Sequence, residues 1–432
     1  MESIWMADAA LPRFEPLEGR VKTDVLIIGG GMAGLLCAHC LQERGVDYVL
    51  AEAKTICSGI TKNTTAKVTS QHGLIYHKLL KSGGPVKARL YLEANQLALK
   101  KYRELAQTID CDFEEKPSCV YSLDNRKILE AEAEALSKIG FNPKIIPTEE
   151  LPFPTVGAVC LEHQAQFHPL KFAAQIAKNL NVYEQTAVTE LAPNRAETEN
   201  GEIIFQKLIV ATHFPMDNKH GLYYLKMYQH RSYVIALEHA GTVDGMYVDA
   251  ATGGMSFRGY GDLLLVGGGG HRTGKQGGNW RELRVFAERY YPDAVEKYHW
   301  AAQDCMTLDG AAYIGEYSSK MRECFVACGF NKWGMTTSMV AAMVLADLVT
   351  GQQNPYAGLF DPARSIWKPQ LICNGFEAVT SLLTPSGKRC PHMGCALKWN
   401  DAEHTWDCPC HGSRFEEDGE LIDNPAAGDM KI

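Results

Sequence analysis

Apolar residues in this chain gather into short continuous runs closed by glycine or by an acid, a pattern that predicts strands covered on both faces. The first run, 24–28 (Asp-Val-Leu-Ile-Ile), stops at Gly29-Gly30-Gly31-Met32-Ala33-Gly34. A helical pattern follows over 35–44, and a second run, 48–51, ends in Glu52. Further strands are predicted at 207–210 (Lys-Leu-Ile-Val), 233–237 (Tyr-Val-Ile-Ala-Leu) and 263–266 (Leu-Leu-Leu-Val), with those between 221 and 271 read as an antiparallel sheet. Helical spacing rich in Ala, Leu, Glu and Lys marks 85–109 and 126–139. The most apolar helix, from about 335 to 349 with Gly351 as its stop, carries Asp347 and several threonines. It reads as a buried helix, not a membrane span.

The strand, glycine turn and helix at the start present free backbone N–H groups and a positive helix end, which suits a pyrophosphate. Glu52, about twenty residues on, stands where an acid accepts ribose hydroxyls, and its charge disfavours a 2′-phosphate. FAD and NAD both remain open on these residues. With 432 residues, 46% of them hydrophobic, the chain is long enough for two or three compact units. The net charge of −8 argues against a nucleic-acid partner. Met1-Glu2-Ser3-Ile4 shows no basic segment leading into a long apolar one, so no secretory signal and a cytoplasmic location are expected. The fourteen cysteines are mostly scattered through apolar segments, as at Cys37, Cys40 and Cys328, and read as small buried hydrophobes.

Two groups near the C-terminal end carry a different chemistry: Cys390-Pro-His392-Met-Gly-Cys395 and Cys408-Pro-Cys410-His411-Gly-Ser413. Each offers a thiolate and an imidazole in a tight turn, a donor set that suits either a zinc ion or a [2Fe–2S] cluster with cysteines on one iron and histidines on the other. The C-x-H opening is unusual for a zinc finger. Both spacings, the Pro-Cys-His-Gly-Ser run and the two additional cysteines resemble Rieske domains of the respiratory type. The resemblance implies Cys390, His392, Cys408 and His411 as ligands and Cys395 with Cys410 as a disulfide, the one oxidised pair expected. It also implies that Ser413 donates a hydrogen bond to a cluster sulfur, while Phe415 stands where many members carry a tyrosine.

Residues 20–362 resemble the FAD-dependent D-amino-acid-oxidase-like superfamily. The likeness rests on the glycine turn, residues 59–69 (Gly-Ile-Thr-Lys-Asn-Thr-Thr-Ala-Lys-Val-Thr), the run ending Ala211-Thr212, and Gly329-Phe-Asn-Lys-Trp333-Gly334-Met335-Thr336 before a helix. It implies FAD held by Gly29, Gly31, Gly34, Glu52, Thr64, Thr65, Ala211, Thr212, Gly329, Trp333, Gly334, Met335 and Thr336. The implied fold is α/β: a two-dinucleotide-type, Rossmann-like FAD part (about 20–82, 150–215 and 300–362) and an α+β substrate part built on an antiparallel sheet (about 83–149 and 216–299). A linker over 363–385, punctuated by Pro369 and Pro385, then leads to a small all-β Rieske domain at 386–432, with a base that looks abbreviated.

Substrate chemistry is weakly written. Arg258, Tyr233, His72 and Lys67 are the candidate catalytic residues, with Tyr224, Arg231 and His271 as further lining candidates. Arg258 is suited to a substrate carboxylate, Lys67 to a place near the flavin ring, and His72 to bonding the flavin. Structural roles compete at each: an ion pair, a core hydroxyl, a satisfied histidine, a solvated lysine. The expectation is an oxidoreductase, a dehydrogenase of a small amine, N-methylated amine or amino acid, with electrons exchanged between FAD and the cluster and then an external carrier. An oxidase using O₂ with a structural or sensing cluster, and an electron-transfer module without a small substrate, are the alternatives.

Overall fold

The computed structural model describes residues 2–216 and 220–431. Val25–Ile28, buried at every position, lies inside a six-stranded sheet. The strand order is Tyr313–Ser318, Met321–Cys328, Lys207–Val210, Val25–Ile28, Tyr48–Ala51, Val182–Tyr183, parallel except at the first pair. Continuous apolar runs form these strands because neighbouring strands and packed helices leave them no solvent face. Helices Met32–Glu43 and Gly334–Val349 pack against one another beside this sheet. The second helix begins and ends close to the sequence expectation, and Gly351 follows it at φ 75°.

A larger sheet supplies the other wall. Its order is Val295–Thr307, Met227–Glu238, Leu263–Arg272, Ser256–Tyr260, Met246–Asp249, Glu114–Tyr121, Ala158–Gln166, Lys67–Val68. The antiparallel strands expected between 221 and 271 are its centre. Val295–Thr307 and Ala158–Gln166 also belong to it, while the segments expected to feed the FAD sheet, about 180–215 and 305–330, supply its strands Val182–Tyr183, Lys207–Val210, Tyr313–Ser318 and Met321–Cys328. The helix expected over 85–109 is the second part of Ile75–Ala106, broken by Gly84 at φ 73° before Pro85. Arg126–Lys138 matches the expectation for 126–139.

Two features differ from expectation. Cys119 and Cys160 sit directly opposite one another on paired strands, Cα atoms 4.1 Å apart, and form a second disulfide. They lie 41 residues apart in sequence, and only the register brings them together. The expected linker over 363–385 is mostly helix, Pro369–Leu383. Pro369 was read as a break, but proline is favoured in the first turn, where its missing N–H costs nothing. Arg364 fastens the approach to this helix through Asp309 and the carbonyls of Ala311 and Ala312. The C-terminal part carries a four-stranded antiparallel sheet of short strands, Lys398–Asn400, Thr405–Asp407, Arg414–Phe415 and Leu421–Asp423.

Candidate functional site

The glycine turn is built by close approach. Gly29 has φ 109°, and a Cβ there would lie 2.6 Å from the carbonyl oxygen of Ala211; one on Gly34 would lie 1.8 Å from that of Gly29. Helix Met32–Glu43 therefore starts against two strand ends, with no side-chain cap from Gly31, while its first N–H, of Met32, donates to Thr61 Oγ1 at 3.1 Å. Glu52 accepts from Gly30 N at 2.6 Å and Lys54 N at 2.9 Å. Burial raises its pKa and these two N–H groups oppose the rise. A glycine cradle that any side chain would fill, beside a carboxylate at the next strand end, fits an adenine dinucleotide.

Several of the other expected FAD residues are fixed by contacts of their own. Thr64 Oγ1 accepts from Ala66 N, and the Thr64 carbonyl accepts from Trp5 Nε1. Thr336 Oγ1 exchanges two 2.9 Å bonds with Thr69, joining the start of helix Gly334–Val349 to the 59–69 segment. Trp333 stacks on His72 with ring centroids 4.9 Å apart.

The candidate catalytic residues are placed less as expected. Both His72 ring nitrogens are engaged, Nδ1 with Tyr91 Oη and Nε2 with the Thr69 carbonyl, and burial pushes its pKa down to about 3. Neither nitrogen is left for bonding a flavin. Arg258 is fully buried, donates to the carbonyls of Thr65, Ala66 and Gly259, and lies over the Trp5 and Tyr260 rings. It shapes the 59–69 segment from behind, although its Nη2 has no partner. Lys67 is buried, donates to the Tyr247 carbonyl at 3.3 Å, and has its pKa lowered to about 7 by burial and then by Arg258.

The cluster loops repeat one design. The N–H of Cys390 bonds the Cys395 carbonyl and that of Gly394 bonds the Cys390 carbonyl; Cys408 with Ser413, and Gly412 with Cys408, do the same, all at 2.9 Å. Gly394 and Gly412, at φ 76° and 89°, permit both turns. The loops bring His392 and His411 to 5.0 Å between ring centroids and the Cys390 and Cys408 sulfurs into hydrogen-bond contact. Cys408, Ser413 and the N–H groups of His392 and Met393 hold the Cys390 thiol down at about 7, against burial. His411 donates one ring N–H to the Tyr224 carbonyl, while its Nδ1 is buried with no partner. An imidazole oriented by one nitrogen and bare at the other fits a metal ligand. Cys395 and Cys410 are joined as a disulfide, which removes them from the ligand set.

Ser413 Oγ bonds Cys390 and accepts from Ala426 N at 3.0 Å. Ser413→Ala should therefore lower the cluster potential, by on the order of 50 mV for one net hydrogen bond of about 1 kcal/mol. A potentiometric titration followed by EPR checks this; an unchanged potential contradicts it.

What lies between the two centres overturns part of the sequence reading. Arg231, Tyr233 and His271 do not line an open substrate pocket. Arg231 forms a two-pronged ion pair with Glu403 of the cluster domain, its Nε at 3.0 Å; Tyr233 Oη donates to Glu403 at 3.0 Å and bonds His271 Nε2. Burial alone would raise the Glu403 carboxyl, but Arg231 and Arg414 hold it at about 2. Nearby, Arg272 donates to the carbonyls of Pro409 and Cys410, Gln303 to that of Gly412, and Gln229 to that of Asn424. Asn424 Nδ2 donates to the carbonyls of Thr212 and Phe214, at the end of the FAD-sheet strand. The cluster loops thus sit on the sheet that faces the FAD part. Glu403, Arg272 and Asn424 carry no motif, and only their partners across the interface reveal them.

A polar group under the same sheet was also missed. His230 and Asp304 are cross-strand neighbours on Met227–Glu238 and Val295–Thr307, with Lys332 of the flavin-ring segment in electrostatic reach. Burial raises the Asp304 carboxyl and lowers Lys332, each moderated by the other. Lys332 nonetheless keeps exposed surface. His230 Nδ1 and Ser232 Oγ are buried there without partners.

Comparison with known proteins follows this division. A family of FAD-dependent oxidoreductases matches residues 24–348, and the Rieske [2Fe–2S] domain family matches 383–432. The chain is 33% identical over its full length to "Putative Rieske 2Fe-2S iron-sulfur protein YhfW" of Bacillus subtilis (strain 168), covering 97% of it. Over 43 residues, 10% of the chain, it is 44% identical to cytochrome b6-f complex iron-sulfur subunit 3 of Nostoc sp. (strain PCC 7120), covering 24% of that protein. Among solved structures, glycine oxidase from Geobacillus kaustophilus superposes with a TM-score of 0.67 over 80% of this chain and 99% of its own, at 20% identity. L-proline dehydrogenase from P. horikoshii gives 0.68 over 81% and 98%, at 17%. No helix among the described residues is long and apolar enough to cross a membrane.

Proposed function

Because the chain belongs to the family of FAD-dependent oxidoreductases and carries a Rieske [2Fe–2S] domain, we propose that it dehydrogenates a small amine, N-methylated amine or amino acid and passes the electrons through the cluster to an external carrier. When bound, FAD would take a hydride from the substrate carbon and the cluster would move electrons singly. The observation that carries this reading is the docking of the cluster loops on the sheet facing the FAD part, through Arg231–Glu403, Arg272 and Asn424. A cluster held there serves the flavin of its own chain.

The chain's own groups support an amino-acid-like substrate. Lys332 offers a cation within electrostatic reach of Asp304, and Asp304 with its raised pKa is suited to receiving an ammonium or holding a proton. The names of the structural neighbours, glycine oxidase and L-proline dehydrogenase, agree in substrate class. Anaerobic mixing with a panel of amines, N-methylated amines and amino acids tests it. Bleaching of the flavin absorbance by a member of that panel is expected, and none by any of them contradicts the proposal. Purified protein should also contain one FAD, two irons and two acid-labile sulfides per chain; stoichiometric zinc without labile sulfide would refute the cluster.

A further inference from the structure

Helix Pro369–Leu383 is turned inside out. The residues it buries are polar, Asn374 and Ser381, whereas Ile372, Phe376, Val379 and Leu383 are 77, 68, 55 and 77% exposed. The buried pair fixes this orientation. Asn374 Oδ1 accepts from Arg272 at 2.9 Å, while Ser381 bonds Ala396 through both its hydroxyl and its carbonyl. Rolling the apolar side inward would break the helix's hold on the flavoprotein and on the first cluster loop together.

The exposed residues follow one another at steps of four, three and four, the spacing of a helix–helix seam. That stripe is narrower than the broad apolar face of a helix lying in a lipid surface. Flanking positions are small or short, Cys373, Gly375 and Thr380, and a Cβ on Gly375 would meet nothing within 4 Å. Trp367, 84% exposed, and Leu382 extend the patch.

We propose that this helix is the interface of a two-fold dimer, occupied by the same helix of a second copy running antiparallel. The seam's midpoint falls between Phe376 and Val379. An antiparallel copy therefore sets Phe376 against Val379 and Ile372 against Leu383 in both directions, the self-complementarity an isologous contact requires. The six large exposed side chains offer on the order of 800 Å² per chain, the size of a standard stable interface. An anionic lipid surface is the poorer occupant: the chain carries a net charge of −8, and Lys275 beside the helix is paired with Glu377. In such a dimer the second copy braces the helix that ties the cluster loop to the flavoprotein.

Light scattering on the eluting holoprotein tests this. The wild-type protein should show twice the mass of one chain, and Phe376→Glu with Val379→Glu should run as a monomer, its dimer weakened by roughly 100-fold or more, with flavin and cluster spectra unchanged. A second measurement does not depend on that variant. A spin label on the exposed thiol of Cys373 should report one intermolecular distance on the order of 20 Å, from about nine helical steps of 1.5 Å and an 8–10 Å axial separation. A monomeric wild-type protein, a dimer unaffected by the double substitution, no short distance between labels, or a monomer that binds phosphatidylglycerol vesicles would each overturn the proposal.

Discussion

Cys408→Ser should yield a protein that retains its flavin and has lost its iron and labile sulfide. The Cys408 sulfur meets that of Cys390 beside two imidazoles, and a [2Fe–2S] cluster with one cysteine ligand fewer is not held. The glycine turn, Glu52 and the 59–69 segment are built from other elements, so the flavin absorbance should survive at near-full occupancy. Cys395→Ser is the control. It removes a bond between the loops but no ligand, and it should give a cluster that assembles and then decays faster. Iron and sulfide analysis of both variants beside their flavin content checks the division; equal iron loss would show it to be wrong.

Arg231→Met should leave substrate reduction of the flavin intact and uncouple the cluster from it. Arg231 and Glu403 are almost fully buried, and losing the charged hydrogen bonds between them, with Glu403 still paired to Arg414, costs about 1.5–3 kcal/mol. That corresponds to a shift of roughly 10- to 150-fold from docked toward undocked. Glu403 keeps Arg414 as its partner within the cluster domain, so the cluster itself should persist. A rise in KM for the reducing substrate with normal cluster reduction would instead return Arg231 to the substrate pocket. The pH dependence has a defined sign. The Glu403 carboxyl is depressed from an ordinary 4.5 to about 2, so its contribution is fully present above about 4.5 and is lost as pH falls toward 2. Docking followed by cluster reduction should be level from pH 5 to 8 as far as this group is concerned, and should weaken only in the acid range.

The residues that sequence made legible are those whose chemistry is local. A glycine that must sit 2.6 Å from a carbonyl leaves a glycine in the sequence, and a loop that presents Cys and His from one turn leaves both in a short motif. Gly351 and the helix it ends were visible for the same reason. Arg231 and Tyr233 carried the residue types of a carboxylate pocket, but their roles depend on Glu403, 172 and 170 residues away, and His271 reaches that group only through Tyr233. The helix at 369–383 was hidden because its apolar stripe faces outward and its first residue is proline. Asp304 and His230 became a pair only through strand register.

The cluster should receive its electrons from the flavin of the same chain. Rapid anaerobic mixing of the holoprotein with a chemical hydride donor measures this directly, with flavin and cluster absorbance followed over a range of protein concentrations. Docking inside one chain predicts that flavin reduction is followed by single-electron reduction of the cluster at a rate independent of protein concentration. A cluster that stays oxidised after the flavin is reduced, or one whose reduction accelerates with protein concentration, would contradict it.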